Sequence, residues 1–451
     1  MPESDVYPFL KQGETARLFP LVSDTSREKR IASILLAIVP MIPSLANSLL
    51  GTTGLKVGSR SRIKTFTEIV LAQDDDKKCR PDGLVVVSTG KSNWSALFEV
   101  KTGKADLDQD QVQRYVTLAK DNGIDAVITI SNQFVARPDH SPVHVPKALL
   151  KKVKLFHWSW MSIVTHCEIL NGTGSITNIE QVLLLREFLR YLNDDRTGIE
   201  RFTQMGPQWR DLIQSVTNNV SLKRTSPEVE EAIVSWFEEE RDLGLQMSRH
   251  IGQPVETVIE RKLKEDPAAR LKSSIGSLVE TYLLSSTYRV PDSAADMEVR
   301  ADLRSKTFQV SMKVKAPIDK KTTKARLSWL LRMIKADDPR LMIRAHWPGR
   351  APVTQSSVSV LRENPDSIQT DNSLLTPHSF EVLLVAETGK RFAGRRTFIE
   401  DLESIVPVFY DLVGQHLRAW QPTPPKPILI QPVEQIAQDN LSVNETVTGT
   451  P

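Results

Sequence analysis

Asp82, Glu99 and Lys101 are the residues whose types and spacing can do chemistry. Glu99 and Lys101 follow an apolar run, Trp94-Ser95-Ala96-Leu97-Phe98, in the stretch LFEVKTGKADLDQDQVQRY. In a strand, residues two apart project to one face, so the acid and the amine stand side by side with Val100 behind them. Asp82 lies in Arg80-Pro81-Asp82-Gly83, just before the buried strand Leu84-Val85-Val86-Val87. Ser88 to Asn93 reads as the hairpin loop that joins this strand to the one bearing Glu99. A hairpin sets the start of one strand beside the end of the other, which makes Asp82 and Glu99 neighbours. Two adjacent carboxylates repel each other unless a cation sits between them. All-oxygen ligation by such a pair suits Mg2+ or Mn2+, which keep waters and substrate phosphate as their other ligands. Lys101 beside the ion can orient or activate a water, or neutralise charge developing on phosphate oxygens.

The elements that position these residues read in the order helix, three strands, helix, strand. Thr25, with Glu28 three residues on, predicts a capping box for a helix running to about Val39. Ile63 to Ala72 reads as a strand by its β-branched content. Asp74 to Gly83 is a polar turn, and Trp94 to Lys101 returns as the third strand. Asp106 to Asp121 is helical, with Leu107, Gln111, Tyr115 and Leu118 down one side, and Asn122-Gly123 stops it. Ile124 to Ile130 is a further strand. Val153 to Trp160 adds another and leads into a helix.

Pro81-Asp82-Gly83, followed sixteen residues later by Glu99-Val100-Lys101, resembles the PD-(D/E)xK nuclease superfamily. The αβββαβ order resembles that family's restriction-endonuclease-like core, so the fold expected for residues 26–172 is of this α/β class. Gln111 and Tyr115, at i and i+4, share a helix face and resemble the QxxxY signature of the RecB-like branch. The resemblance implies that Asp82 and Glu99 bind Mg2+ or Mn2+ and that Lys101 serves the attacking water. It also implies that Gln111 and Tyr115 help position substrate. A further acid from the helix before the first strand is implied too; Glu28 is the candidate, with Glu68 as its competitor.

Other signals are weaker. A second Glu-x-Lys, Glu260 to Lys262, sits on a helix without an upstream Pro-Asp. Asp74-Asp75-Asp76 precedes Lys77-Lys78 and reads as a solvated loop. His157 reads as a packed or hydrogen-bonded side chain, because no acid or cysteine partner is evident. No Gly-rich phosphate loop is visible, so no nucleotide cofactor is expected.

At 451 residues the chain has room for about three domains. An N-terminal extension (1–25) precedes the nuclease-like region. Residues 173–290 lack strand signals, and in Val229 to Met247 the glutamates read as a solvated acidic face. Residues 291–420 form a mixed α+β region, and a disordered tail is expected over 421–451. From Arg300 to Arg350 there are fourteen Lys/Arg against four Asp/Glu, together with Trp329 and Trp347. Such a surface attracts a phosphate backbone, with Lys313, Lys315, Lys320, Lys321 and Lys324 as the expected contacts. The other partner such a surface suits is an acidic segment such as Glu238 to Glu240. A formal charge of +3 by itself implies no partner.

Two cysteines, Cys79 and Cys167, cannot build a disulfide framework, and a reducing, cytoplasmic location is expected. Ile31 to Leu50 carries no charge, but Pro40, Pro43 and several polar residues divide it into two short buried helices rather than a membrane span. The chain is thus expected to be a metal-dependent nuclease acting on DNA, with a protein partner or a second copy also open. The opposing class is a catalytically silent protein of the same fold that binds nucleic acid or serves as an assembly subunit.

Overall fold

Pro43 breaks the uncharged run into two helices. The computed structural model describes residues 7–20, 26–58, 60–73, 80–90, 92–135 and 137–421. Thr25, the run Asp74 to Lys78, Cys79 and residues 422–451 lie outside the described residues. Helix α1 spans Arg27–Met41 and α2 spans Pro43–Gly51, with Pro40 tolerated in the last turn of α1. Ile42, the residue before Pro43, is extended and ends α1. No single helix among the described residues is long and apolar enough to cross a membrane; α1 and α2 together reach that length and composition but bend by 111°. Ile31, Leu35, Ile38, Leu45 and Leu49 are all buried.

Among the described residues the strands form two sheets. The first runs β1 (Leu10–Thr15), β2 (Arg62–Leu71), β3 (Gly83–Thr89), β4 (Ser92–Val100), β5 (Ala126–Ser131) and β6 (Lys154–Ser159), in that spatial order. The pairs from β1 to β4 are antiparallel, and β4 to β6 are parallel. Helix α3 (Gln109–Asp121) crosses from β4 to β5, and α4 (Trp160–Gly172) follows β6.

Strand periodicity divides the side chains between two cores. Val85, Val87, Phe98 and Val100 pack with α1, α2 and α4, whereas Leu84, Val86 and Leu97 pack with Val112 and Tyr115 of α3. Gly83 is required by a close approach: a Cβ there would lie 2.1 Å from Leu36 Cδ1 of α1.

Helices α5 (Ile179–Leu192), α6 (Trp209–Thr217), α7 (Pro227–Ile251), α8 (Arg261–Glu265) and α9 (Pro267–Thr281) follow. The second sheet contains β7 (Glu256–Thr257), β8 (Leu283–Arg289), β9 (Met297–Asp302), β10 (Thr307–Lys315), β11 (Leu341–His346), β12 (Thr354–Ser357) and β13 (Ser379–Glu387). Its order is β12-β11-β13-β10-β9-β8-β7, antiparallel throughout. Helices α10 (Thr323–Leu331), α11 (Val358–Glu363) and α12 (Arg395–Phe409) complete the described chain. Val299, Phe308, Val310, Val382 and Phe398 belong to one core beneath this sheet.

Two expectations fail here. β7 and β8 fall within the stretch read as purely helical; β8, LLSSTYR, depends on pairing with β9 for its form. The acidic face of α7 is not solvated: Glu239, Glu240 and Asp242 are buried. Glu240 is held by an ion pair with Arg270 and by Ser286 Oγ, which donates to it at 2.7 Å.

Candidate active site

The β3–β4 register sets Gly83 opposite Phe98, so Asp82 and Glu99 stand one step beyond it at the end of the ladder. Asp82 continues the ladder with its side chain: Val100 N–H donates to Asp82 Oδ2 at 2.7 Å. Glu99 has the parity of Leu97, on the α3 face, and Asp82 and Lys101 lie one residue beyond the ends of β3 and β4 beside it. Lys101 Nζ donates to Glu99 Oε1 at 2.5 Å. The Lys101 backbone is fixed at both ends, with its N–H donating to Ile130 O (2.8 Å) and its carbonyl accepting from Trp160 Nε1 (2.9 Å).

Glu28 also reaches this site. Its Oε1 accepts from Thr102 N–H at 3.2 Å and its Oε2 lies 4.0 Å from Lys101 Nζ. Its contacts are therefore tertiary, and Ser26, not Thr25, precedes α1 as the N-cap. Glu68 goes elsewhere: it pairs with Lys29 at 2.8 Å. It lines a cleft of about 540 Å³ that also reaches Asp82.

Electrostatics follow from burial. The Asp82 carboxyl is pushed up to about 8, first by burial and then by the nearby Glu99 charge. Glu99 is raised as well, chiefly by burial, against the opposing pull of Lys101. Burial alone would weaken the ammonium of Lys101, but its hydrogen bond to Glu99 and the surrounding acids outweigh it and hold the pKa above its ordinary value. Lys101 is thus a cation here and not a base.

Gln111 and Tyr115 act at one remove. Gln111 Nε2 donates to Tyr115 Oη at 3.0 Å, and that hydroxyl donates to the carbonyl of Arg80 at 3.1 Å. Tyr115 is 2% exposed, and burial raises its pKa, with the Glu99 charge adding to the effect. Its ring is part of the α3 core, and its hydroxyl, which also reaches Glu99, steadies the Arg80–Asp82 turn at the base of the site. His157 is a hydrogen-bonded core residue: Nδ1 contacts Thr129 Oγ1 at 2.9 Å and Nε2 donates to Gln133 O at 2.9 Å. Burial lowers its pKa to about 4.

Sequence reasoning missed a latch beside the site. Gly103 N–H donates to Gly198 O at 2.7 Å, and Asn132 Nδ2 donates to the carbonyls of Gly103 (3.0 Å) and Gly198 (2.8 Å). The visible signals were Gly103 and Gly198 themselves, both with positive φ.

The donor set matches a hard divalent ion by its charge: Asp82, Glu99 and Glu28 face one ammonium. Among the described residues no group of three His, Cys, Asp or Glu side chains converges as a ready cage. Mg2+ commonly takes one or two carboxylates and retains waters, and Asp82 and Glu99 are a pair of that kind.

The basic stretch resolves into two kinds of charge. Arg300 pairs with Glu298 (2.7 Å), Arg340 with Asp338 (2.7 Å) and Arg344 with Glu381 (3.6 Å). Arg326 donates to the Lys320 and Pro377 carbonyls. Lys313 and Lys315 are exposed on one face of β10, Lys320 and Lys321 follow it, and exposed Lys324 lies in the first turn of α10. Trp347 is buried and donates to Thr354 Oγ1 at 3.0 Å, so it is no stacking platform.

A second acid cluster lies between α7 and α12. Glu239 and Asp242 are almost wholly buried, with Glu403 beside them. Both oxygens of Glu239 and Oδ1 of Asp242 have no hydrogen-bond partner among the described residues. Arg249, close to Asp242 and Glu403, ties α7 to α4 through Glu168 (3.1 Å) and Thr165 Oγ1 (2.9 Å).

No protein-family model and no curated protein matches this chain.

Proposed function

We propose that this chain is a Mg2+-dependent nuclease of the PD-(D/E)xK kind that hydrolyses phosphodiester bonds of DNA, in bacterial or phage DNA processing or defence. The observation that carries this reading is the meeting of Asp82, Glu99 and Lys101 at the end of the β3–β4 hairpin, with Asp82 locked to Val100 N–H at 2.7 Å and Lys101 Nζ on Glu99 Oε1. The element order α1-α2-β2-β3-β4-α3-β5 supports a restriction-endonuclease-like core.

Asp82 and Glu99 would hold the ion, with Glu28 near enough to complete the charge balance. A bound Mg2+ or Mn2+ supplies Lewis acidity to the attacking water and to the phosphate oxygens. Lys101, kept protonated by Glu99, steadies charge building on the phosphate rather than taking a proton. Tyr115 and Gln111 hold the Arg80 carbonyl and so set the direction of Asp82.

One observation favours the silent alternative. The Lys101 ammonium rests directly on Glu99 at 2.5 Å, where it can replace a metal as counter-charge. A binding or assembly protein of the same fold would keep that pair closed. The full chain incubated with Mg2+ or Mn2+ and labelled single-stranded, duplex and branched DNA, with RNA alongside, separates the readings. DNA cleavage that Lys101→Ala removes is the expected result. Binding of these ligands without cleavage of any of them would replace the nuclease reading by the silent one.

A further inference from the structure

The cleft that ends at Asp82 has a second wall that the catalytic reading does not use. It is built by β1, by the segment after β1 and by the N-terminal part of α1; Arg17, Lys29 and Arg80 line it, together with Glu14, Glu68 and Asp82. The β1–β2 register steps from Gln12↔Val70 to Glu14↔Thr67, so β2 carries one residue more than β1 there. At this bulge Glu68 adopts φ 50°, a conformation that residues other than glycine rarely take. The bulge places Glu68 in the cleft, where it pairs with Lys29. Between Arg17 and Pro20, both lining residues, stands Phe19, which is 88% exposed.

An aromatic ring left almost entirely in water at the rim of a cleft that cations help to line suits single-stranded nucleic acid: cations track the phosphates and the ring stacks on a base. A cleft of about 540 Å³ is of a size that suits one or two nucleotides of one strand. We infer that Arg17, Phe19, Lys29 and Arg80 form a binding site for a single strand of DNA and lead it to Asp82. This inference rests on the nuclease reading for its purpose, but not for its geometry. Lys29 is shared: a phosphate entering the cleft competes with Glu68 for it, an exchange that an exposed ion pair permits at little cost.

Equilibrium binding of a labelled oligothymidylate and of a blunt hairpin duplex, measured by fluorescence anisotropy in EDTA, tests the site apart from cleavage. Phe19→Ala is expected to weaken single-strand binding about tenfold while duplex binding holds. Arg17→Gln is expected to lower the log-log salt slope for the single strand by about 0.7. Phe19 packs against little, so its removal does not threaten the fold. Unchanged single-strand binding in both variants, equal losses on strand and duplex, or no single-strand binding by the parent would each overturn the inference. Cleavage is scored separately with Mg2+. A parent that binds through Phe19 and cuts nothing leaves the cleft in place and removes the nuclease reading. A parent that cuts, with binding indifferent to Phe19 and Arg17, does the reverse.

Discussion

Asp82 and Glu99 at the end of the first sheet, and Glu239, Asp242 and Glu403 between α7 and α12, are both groups of buried or half-buried carboxyls whose pKa desolvation raises. They differ in what surrounds them. At the sheet end each acid has a placed partner, Val100 N–H for Asp82 and the Lys101 ammonium for Glu99, and Asp82 borders a cleft. Between the helices, carboxyl oxygens lack partners and the nearest cations, Arg201 and Arg249, belong to the packing of α7. A perturbed carboxyl is therefore a common product of burial. Placed partners and an open side are what mark a site.

Removing one side chain from each group breaks or sharpens this contrast most strongly. Lys101→Ala is expected to lower cleavage by about 10²–10³-fold while Mn2+ still binds by titration calorimetry. Asp82→Ala should lose metal and cleavage together. Glu239→Gln should leave both untouched, and a loss of cleavage in that variant would erase the distinction.

Stability gives the next largest effect. Glu239, whose pKa burial raises well above the ordinary carboxylate range, buries two oxygens without a partner among the described residues. Glu239→Met should stabilise the protein by about 1–3 kcal/mol, read from the midpoint of urea unfolding. A lower midpoint would show that the cluster is satisfied in solution after all.

The pH dependence is a smaller effect. Burial lifts Asp242 to about 6 and Glu403 to about 7, whereas such carboxyls ionise near 4 in the unfolded chain. Between about pH 4 and 7 the folded state then holds more protons than the unfolded one, so stability falls as pH rises through that window. The melting temperature should drop across it, and Asp242→Asn with Glu403→Gln should flatten the drop. An equal slope in that variant would assign the dependence to other groups.

The smallest expected effect concerns exposed charge, which belongs to neither group. Neutralising Lys313, Lys315, Lys320, Lys321 and Lys324 should weaken duplex DNA binding and reduce the log-log salt slope by about 0.9 for each lost phosphate contact. An unchanged slope would turn this surface over to a protein partner. Arg300 and Arg344, already paired with Glu298 and Glu381, should contribute little.

Local pattern made much of the first sheet legible. The hairpin, the break before Pro43 and the stop of α3 at Asn122-Gly123, where Gly123 has φ 67°, rest on local rules that need no tertiary help. Asp82 and Glu99 could be paired because a hairpin's register is local too. Strand β1, LKQGET, was not legible: as a polar edge strand it has an exposed face and no alternation, and pairing with β2 alone makes it a strand. The acidic face of α7 misled for a similar reason. Helical periodicity says which residues share a face, but not that Arg270, Ser286 and α12 will cover it. Tyr115 showed its spacing in the sequence, but not that its ring would be enclosed and only its hydroxyl delivered to Arg80.

The latch at Gly103 decides how portable the site is. Gly198 and Asn132 hold the loop that follows Lys101, and Gly198 admits no side chain, since a Cβ there would lie 2.7 Å from Arg27 Nη1 and 2.9 Å from Gly103 N. The nuclease-like region expected from the sequence stops at residue 172, yet the loop beside the chemistry is fastened from beyond α5. A fragment cut there would carry Asp82, Glu99 and Lys101 with one wall of their setting left behind. The smallest piece of this chain that can be moved or fused with its site whole runs past residue 200, where Glu200 N–H donates to Asn132 Oδ1 at 3.1 Å.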